Sequence, residues 1–157
     1  PICLLPMPIE ERKHTDFPCC SKRICNGCDY AVEGTETANR LENKCPFCRK
    51  RVAENFDEVR RDLLPRVGKD DPVALRCMGR ICRAEGDHVD AFGHMTKAAE
   101  LGDVEAHYLL ADMYRNGDGV EKDEEKEMKH LELAAIAGHA QARHNIACTE
   151  GNNGNLK

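Results

Sequence analysis

Seven cysteines lie in the first 48 residues of the chain, and four of them form two pairs with the spacing C-x2-C, Cys25–Cys28 and Cys45–Cys48. Two intervening residues allow one tight turn to present both sulfurs to a single tetrahedral ion, at metal–sulfur distances of about 2.3 Å. Two such pairs in one short segment predict zinc binding. The full set of predicted ligands is Cys3, Cys19, Cys20, Cys25, Cys28, Cys45 and Cys48.

A disulfide scaffold and a redox pair are the alternatives to zinc. A disulfide framework needs an oxidising compartment and usually an even number of cysteines, whereas this cluster is odd-numbered and follows no visible secretory signal. A redox C-x2-C pair would need a βαβ setting, which this segment does not supply. The odd number instead suggests a missing ligand. Pro1-Ile2-Cys3 matches Pro46-Phe47-Cys48, which Cys45 precedes, so we expect an eighth cysteine directly before Pro1 and two four-coordinate zinc sites.

Residues 1–51 resemble the RING zinc-finger family through P-I-C at 1–3, C-C-x4-C-x2-C at 19–28 and C-P-F-C-R at 45–49. RING domains interleave their ligand pairs between two zinc ions. The usual second pair has one residue between its ligands and often ends in His. Here Cys19 and Cys20 are adjacent, Lys22 stands where His is common, and His14 is the alternative ligand. The resemblance therefore implies an all-cysteine variant, with a first site made of the absent cysteine, Cys3, Cys25 and Cys28, and a second made of Cys19, Cys20, Cys45 and Cys48.

The RING resemblance implies a role in ubiquitin transfer, in which structural zinc ions shape a surface that holds a ubiquitin-charged E2 enzyme in a reactive geometry. Ile2 corresponds to an apolar E2 contact, Pro46 and Phe47 to the same shallow groove, and Arg49 to a basic residue that hydrogen-bonds ubiquitin and E2. Each has a structural alternative: Ile2 and Phe47 as covers for the zinc sites, Pro46 as a stiff turn residue, and Arg49 as a solvated charge.

Beyond Asp70 the sequence repeats itself. Within each predicted helix the apolar residues are spaced i, i+4, i+7, i+8, which predicts one apolar stripe per helix. Gly102 and Gly138 are predicted to end the second helix of a unit. In the first helices, the apolar positions Ala74, Met78, Ile81 and Cys82 correspond to Ala106, Leu110, Met113 and Tyr114, and the first two correspond again to Ala142 and Ile146. In the second helices, Phe92, Met95, Ala98 and Ala99 correspond to Met128, Leu131, Ala134 and Ala135.

Residues 71–157 resemble the Sel1-like, TPR-like repeat family, whose pattern includes K-A-A-x-x-G and G-x-G-V. Lys97-Ala98-Ala99 and Gly117-Asp118-Gly119-Val120 carry the match. The resemblance implies a helical solenoid whose concave surface binds a protein partner. The third unit ends at Lys157 before its second helix, so we expect a truncated array.

Three smaller features of the repeat region have structural interpretations. The acidic loop Asn116–Asp123 is predicted to be a turn rather than a calcium site, because Val120 takes a would-be ligand position. The cysteines of the repeats are expected to be small buried or half-buried residues. They are Cys77, Cys82 and Cys148.

Composition narrows the functional classes. Residues 1–51 hold 9 Lys and Arg against 7 Asp and Glu, residues 52–157 hold 14 against 21, and the whole chain has a net charge of −5. This balance argues against a nucleic-acid or membrane-surface binder, and no apolar run approaches the roughly 20 residues that span a bilayer. No catalytic constellation is visible. We expect a cytoplasmic or nuclear protein.

The predicted architecture is a small zinc-stabilised α+β RING-like module over 1–51, a helical linker over 52–70 and an all-α Sel1-like solenoid over 71–157. A helix is predicted over 53–64, ended by Pro65 and Gly68. The functional hypothesis is a RING-type E3 ubiquitin ligase whose repeats recruit a protein. The alternative is a non-enzymatic zinc-binding scaffold.

Overall fold

The structure is a computed structural model that describes residues 14–20, 22–25 and 44–152, and the chain divides at Pro65 into two compact units. The first unit contains β1 (His14–Phe17), β2 (Lys22–Cys25) and most of α1 (Phe56–Val67), whose last two residues belong to the second unit. The second unit is helical throughout its described residues. Its helices are α2 (Pro72–Ala84), α3 (His88–Glu100), α4 (Val104–Asn116), α5 (Glu124–Ile136) and α6 (Ala140–Asn152).

Two tight turns dominate the described part of the first unit. β1 and β2 form an antiparallel hairpin in which Phe17 pairs with Lys22, and the Cys20 N–H donates to the Phe17 carbonyl at 3.2 Å. In the second turn the Cys45 N–H donates to the Lys50 carbonyl at 2.7 Å. A small core forms where the turns meet, around buried Phe17 and Cys45.

The linker helix lies three residues later than predicted. α1 begins at Phe56 and ends at Val67, and Pro65 lies within it. The prediction that Pro65 and Gly68 end the helix was therefore wrong for Pro65, whereas Gly68 directly follows the last helical residue. A proline removes only its own N–H bond, and in the last turn this loss is followed by closing bonds from the Lys69 N–H to the Arg66 carbonyl and from the Asp70 N–H to the Val67 carbonyl. The domain bounds 1–51, 52–70 and 71–157 stay predictions.

Helices of the second unit pack as successive antiparallel pairs, α2 with α3 and α4 with α5, and α6 packs on α5. The repeating apolar positions of α2 and α4 are buried, as predicted from their spacing. Where α2 crosses α3, Gly79 lies so close that a Cβ atom there would be 3.0 Å from the Met95 Cε. This close approach explains why small residues recur at the crossing positions.

Glycines end the second helices, as the sequence predicts. Gly102 and Gly138 adopt left-handed φ values of 87° and 97°. The Asp103 N–H reaches back to the Ala98 carbonyl at 3.0 Å, and the His139 N–H reaches the Ala134 carbonyl at 2.9 Å. These bonds satisfy helix-end carbonyls in the Schellman arrangement, and they turn the chain directly into the next helix.

The repeat cysteines differ from one another. Cys82 is buried and Cys77 is half-buried, but Cys148 is exposed. The expectation of burial was therefore wrong for Cys148, because it lies on the side of α6 away from the core formed with Ala142. The Asn116–Asp123 loop is a turn, in which Gly117 is left-handed with φ 80°. No helix in the described part of the chain is long and apolar enough to cross a membrane.

Candidate metal centre and repeat junctions

Four thiols from the two turns of the first unit lie close together, those of Cys19, Cys20, Cys45 and Cys48. Their Sγ atoms are all within 4.8 Å of one another. The Cys20 Sγ is 3.6 Å from the Cys45 Sγ, and the Cys48 Sγ is 3.4 Å from the Cys19 Sγ. A disulfide requires about 2.05 Å between sulfurs, so these are free thiols. Sulfurs bound to one tetrahedral zinc at about 2.3 Å are separated by about 3.8 Å, which is close to the observed spacing.

The four thiols differ in how exposed they are to solvent. Cys45 is fully buried, Cys19 and Cys20 are half-buried, and Cys48 is exposed at the edge. Phe17 packs edge-on against Phe47, with ring centroids 5.8 Å apart. Phe47 and Val52 pack in the same small core as buried Cys45 and half-buried Cys19 and Cys20, so only Cys48 of the four thiols is exposed.

Backbone amides support the cluster in a repeated way. The Cys20 sulfur accepts a hydrogen bond from the Lys22 N–H, and the Cys48 sulfur accepts one from the Lys50 N–H. In each case the donor lies two residues after the cysteine. Donors aimed at sulfur favour the charged thiolate, which is the form that binds metal.

Burial opposes ionisation of Cys19 and Cys20. Burial raises the pKa of Cys19, and its hydrogen bonds with Cys48 and Cys45 raise it further. Burial also raises the pKa of Cys20. The pKa of Cys48 is lowered, because the hydrogen bonds from the Lys50 N–H and from Cys19 outweigh its desolvation. A divalent cation would reverse the cost of burying these charges, because a coordinated thiol is deprotonated.

The donor set fits Zn²⁺. Four sulfurs form the group, and no imidazole or carboxylate belongs to it among the described residues. Soft sulfur ligands in a tetrahedron favour zinc over magnesium or calcium. A zinc ion held by all four sulfurs would have no open position for water, which is the arrangement of structural zinc sites.

The grouping corresponds to the second of the two predicted sites. β1 pairs His14 with Cys25, at the end of the hairpin away from the turn that holds Cys19 and Cys20, and the use of His14 as an alternative ligand stays a prediction. Cys25 ends β2. The remaining predicted first-site ligands and the apolar contact lie outside the described residues, namely Cys3, Cys28 and Ile2.

The other three residues predicted to contact E2 lie in or beside the second turn. Pro46 and Phe47 are half-buried, and Arg49 is exposed. Arg49 has a left-handed φ of 59°, and its N–H donates to the Cys45 carbonyl at 2.8 Å. The turn therefore directs the chain out of the cluster at Arg49. Lys50 was not among the residues predicted from the sequence. Its backbone N–H donates a hydrogen bond to the Cys48 sulfur, and its side chain forms an ion pair with Asp62 of α1.

Polar residues at the repeat junctions were also missed. Asp71, Asp103 and His139 occupy the same repeat position, at offsets of 32 and 36. Each accepts a hydrogen bond from a backbone N–H in the first turn of the next helix: Ala74 at 3.0 Å, Ala106 at 2.9 Å and Ala142 at 3.1 Å. Helix caps of this kind are each worth about 1 kcal/mol. A search for apolar periodicity does not register polar residues, and the change from Asp at 71 and 103 to His at 139 hides the shared position.

The second and third of these caps, Asp103 and His139, also contact the preceding repeat. Arg76 of α2 donates through its Nε–H to the Asp103 Oδ2 at 3.1 Å, and the two side chains are 1% and 8% exposed. Tyr108, which is 32 residues after Arg76, stacks on His139 with ring centroids 4.5 Å apart. The same two repeat positions therefore join the first and second repeats by a charge pair, and the second and third repeats by a ring stack.

Comparison with known proteins identifies the helical array. A family model described as Sel1 repeat matches residues 66–103 and 104–139. The crystal structure of a Sel1 repeat protein from Oxalobacter formigenes is similar at 28% identity with a TM-score of 0.55, over 61% of this chain and 75% of that one. The crystal structure of c5321, a protective antigen present in uropathogenic Escherichia coli strains displaying an SLR fold, shares the fold at 24% identity with a TM-score of 0.54, over 73% of this chain and 22% of that one. Among curated proteins, none matches the chain. Residues 66–103 and 104–139 are therefore two Sel1 repeats.

Proposed function

We propose that the first unit is a zinc-stabilised RING-like module that binds an E2 enzyme, and that the chain acts as a RING-type E3 ubiquitin ligase. The observation that carries this proposal is the convergence of thiols from two separated segments. Cys20 and Cys45, whose sulfurs are 3.6 Å apart, are separated by 25 residues in the chain. A zinc ion held by both segments would tie them together, which is the second half of the RING arrangement of two interleaved sites.

The E2 groove is proposed beside the second turn. Phe47 and Pro46 present half-buried apolar surface there, and Phe47 is fixed by its edge contact with Phe17. Ile2 is assigned to the same groove by the RING resemblance alone. Arg49 follows the last thiol and is exposed, so its guanidinium is free to form the bidentate hydrogen bonds for which arginine is suited.

The Sel1 repeats supply the second half of the proposal, a surface that binds a protein. Repeat arrays of this kind use extended concave surfaces for protein–protein contact. We propose that this partner is the protein to be ubiquitinated, brought close to an E2 on the same chain, so that attachment gains from effective concentration. A zinc–thiolate site needs reduced thiols, as in the cytoplasm or nucleus, and we propose one of these as the location.

Single-turnover discharge of ubiquitin from charged E2 enzymes tests the proposal. The zinc-loaded full chain is compared with Arg49→Ala, Ile2→Ala and Cys45→Ala. Arg51→Ala is the matched control, because Arg51 is also exposed and pairs with Glu54 at 2.7 Å. We expect discharge to fall several-fold in Arg49→Ala and Ile2→Ala, to vanish in Cys45→Ala, and to be unchanged in Arg51→Ala.

The alternative scaffold role has a distinct outcome in the same experiment. A chain that retains zinc but accelerates discharge from no E2 in a broad panel would contradict the ligase proposal. Such a result would favour a non-enzymatic zinc-binding scaffold, with the Sel1 repeats still serving protein contact.

A further inference from the structure

A second pair of metal-donor side chains lies far along the chain from the cysteine-rich turns. His144 and Cys148 are one helical turn apart on α6 and therefore on the same face. The Cys148 Sγ is 3.5 Å from the His144 Nε2. Both side chains are exposed, and neither atom has another hydrogen-bond partner among the described residues. The pair is thus open to solvent and to ions.

The separation of the two donor atoms matches a chelate. A tetrahedral zinc with a sulfur at about 2.3 Å and a nitrogen at about 2.0–2.1 Å places those two atoms about 3.6 Å apart. The observed separation of 3.5 Å is close to this value. A helix presents the donors on a rigid backbone, so little conformational freedom is lost when an ion binds.

The charges around His144 and Cys148 are also compatible with a bound cation. Cys148 lies towards the C-terminus of α6, where the helix dipole favours positive charge, and the last turn of α6 contains no basic residue. The neighbouring Arg143 directs its guanidinium to the Gly138 carbonyl at 3.1 Å, towards the opposite end of the helix.

We propose that His144 and Cys148 form a bidentate surface site for a borderline divalent transition-metal ion such as Zn²⁺. As the metal–sulfur bond forms, the Cys148 thiol releases its proton to solvent. The His144 Nε2 supplies a lone pair while its Nδ1 keeps its proton, and water completes the coordination. No electron is transferred. This site is independent of the four-thiol cluster and of the proposed ligase activity.

Protection of Cys148 from alkylation tests the site, because peptide mapping reads out this cysteine separately from the N-terminal cluster. The full chain is treated with a maleimide, with and without excess Zn²⁺, and the labelling rate of the Cys148 peptide is measured. We expect zinc to slow labelling about tenfold, which corresponds to about nine-tenths occupancy. His144→Ala should label at nearly the same rate with and without zinc, whereas Gln141→Ala, an exposed change on the same helix, should be protected like the unaltered chain.

Two results would overturn the proposal. One is a labelling rate of Cys148 that zinc does not change. The other is equal protection in His144→Ala, since this would mean that the thiol alone captures an adventitious ion. Far-UV circular dichroism of His144→Ala, expected to match that of the unaltered chain, shows that loss of protection is not loss of the helix.

Discussion

Asp103 has two tasks at the junction of the first two Sel1 repeats, and its replacement gives a stability change that can be worked out from the structure. Its Oδ1 accepts the Ala106 N–H at 2.9 Å and caps α4, and its Oδ2 accepts the Arg76 Nε–H at 3.1 Å. Both charged side chains are at least nine-tenths buried. Loss of the cap costs about 1 kcal/mol, and breaking a buried charge pair by removing one partner costs about 3–5 kcal/mol.

We therefore expect Asp103→Ala to lower the free energy of unfolding by about 4–6 kcal/mol. Asp103→Asn keeps a capping oxygen but loses the charge, so its expected loss is smaller, about 3–5 kcal/mol. A domain of this size is typically stable by only about 5–15 kcal/mol. The alanine variant should accordingly be close to unfolding in water at room temperature.

Urea denaturation of the full chain, followed by far-UV circular dichroism, measures these changes. Asp87→Ala is the matched control, because Asp87 caps α3 through the Asp90 N–H at 3.0 Å but is exposed; its expected cost is about 1 kcal/mol. If Asp103→Ala lowered the free energy of unfolding no more than Asp87→Ala, the buried Arg76–Asp103 pair would contribute nothing to stability, contrary to this prediction.

Three further predictions concern the helical array. Burial lowers the pKa values of His107 and His130, whose Nδ1 atoms are 3.0 Å apart, so the unfolded chain binds more protons than the folded chain. The contribution of these histidines to the free energy of unfolding should be complete above about pH 6.5 and fall as the pH drops towards 5. Denaturation at several pH values would measure this fall, which should be less steep in His130→Gln. Gly119→Ala places a Cβ 2.1 Å from the first carbonyl oxygen of α3 at a φ of 71°, and it should lower the free energy of unfolding by about 3 kcal/mol or more. The control Gly86→Ala places its Cβ in open space and should cost about 1 kcal/mol. Equal losses for the two variants in urea titrations would contradict this prediction. Leu131→Ala removes a fully buried side chain and should cost about 2–5 kcal/mol by the same assay, and a loss below about 1 kcal/mol would show that the α4–α5 core is not packed as described.

The helical array could be predicted from sequence because its signal is redundant. Apolar residues at fixed offsets identify the helices, and left-handed glycines such as Gly102 fix where they end. Polar contacts left no such signal. Asp103 and His139 share a repeat position but differ in chemistry, so only the structure shows that both cap a helix and contact the preceding unit.

Other features depend on three-dimensional packing and could not be derived from spacing. Pro65 is a helix breaker by propensity, yet it lies inside the last turn of α1. Cys148 fits a pattern of small residues on packed helices, but it is exposed, because the face of α6 on which it lies has no neighbour among the described residues. Whether adjacent Cys19 and Cys20 can reach one site depends on the shape of their turn, which the sequence alone does not specify.

Anomalous diffraction at the zinc absorption edge, from crystals of the full chain, would show whether the four converging thiols hold zinc. We expect one anomalous peak among Cys19, Cys20, Cys45 and Cys48, about 2.3 Å from each of the four sulfurs. A peak bound to His14 in place of one of these cysteines, or sulfurs joined in pairs at about 2.05 Å with no peak between them, would contradict it.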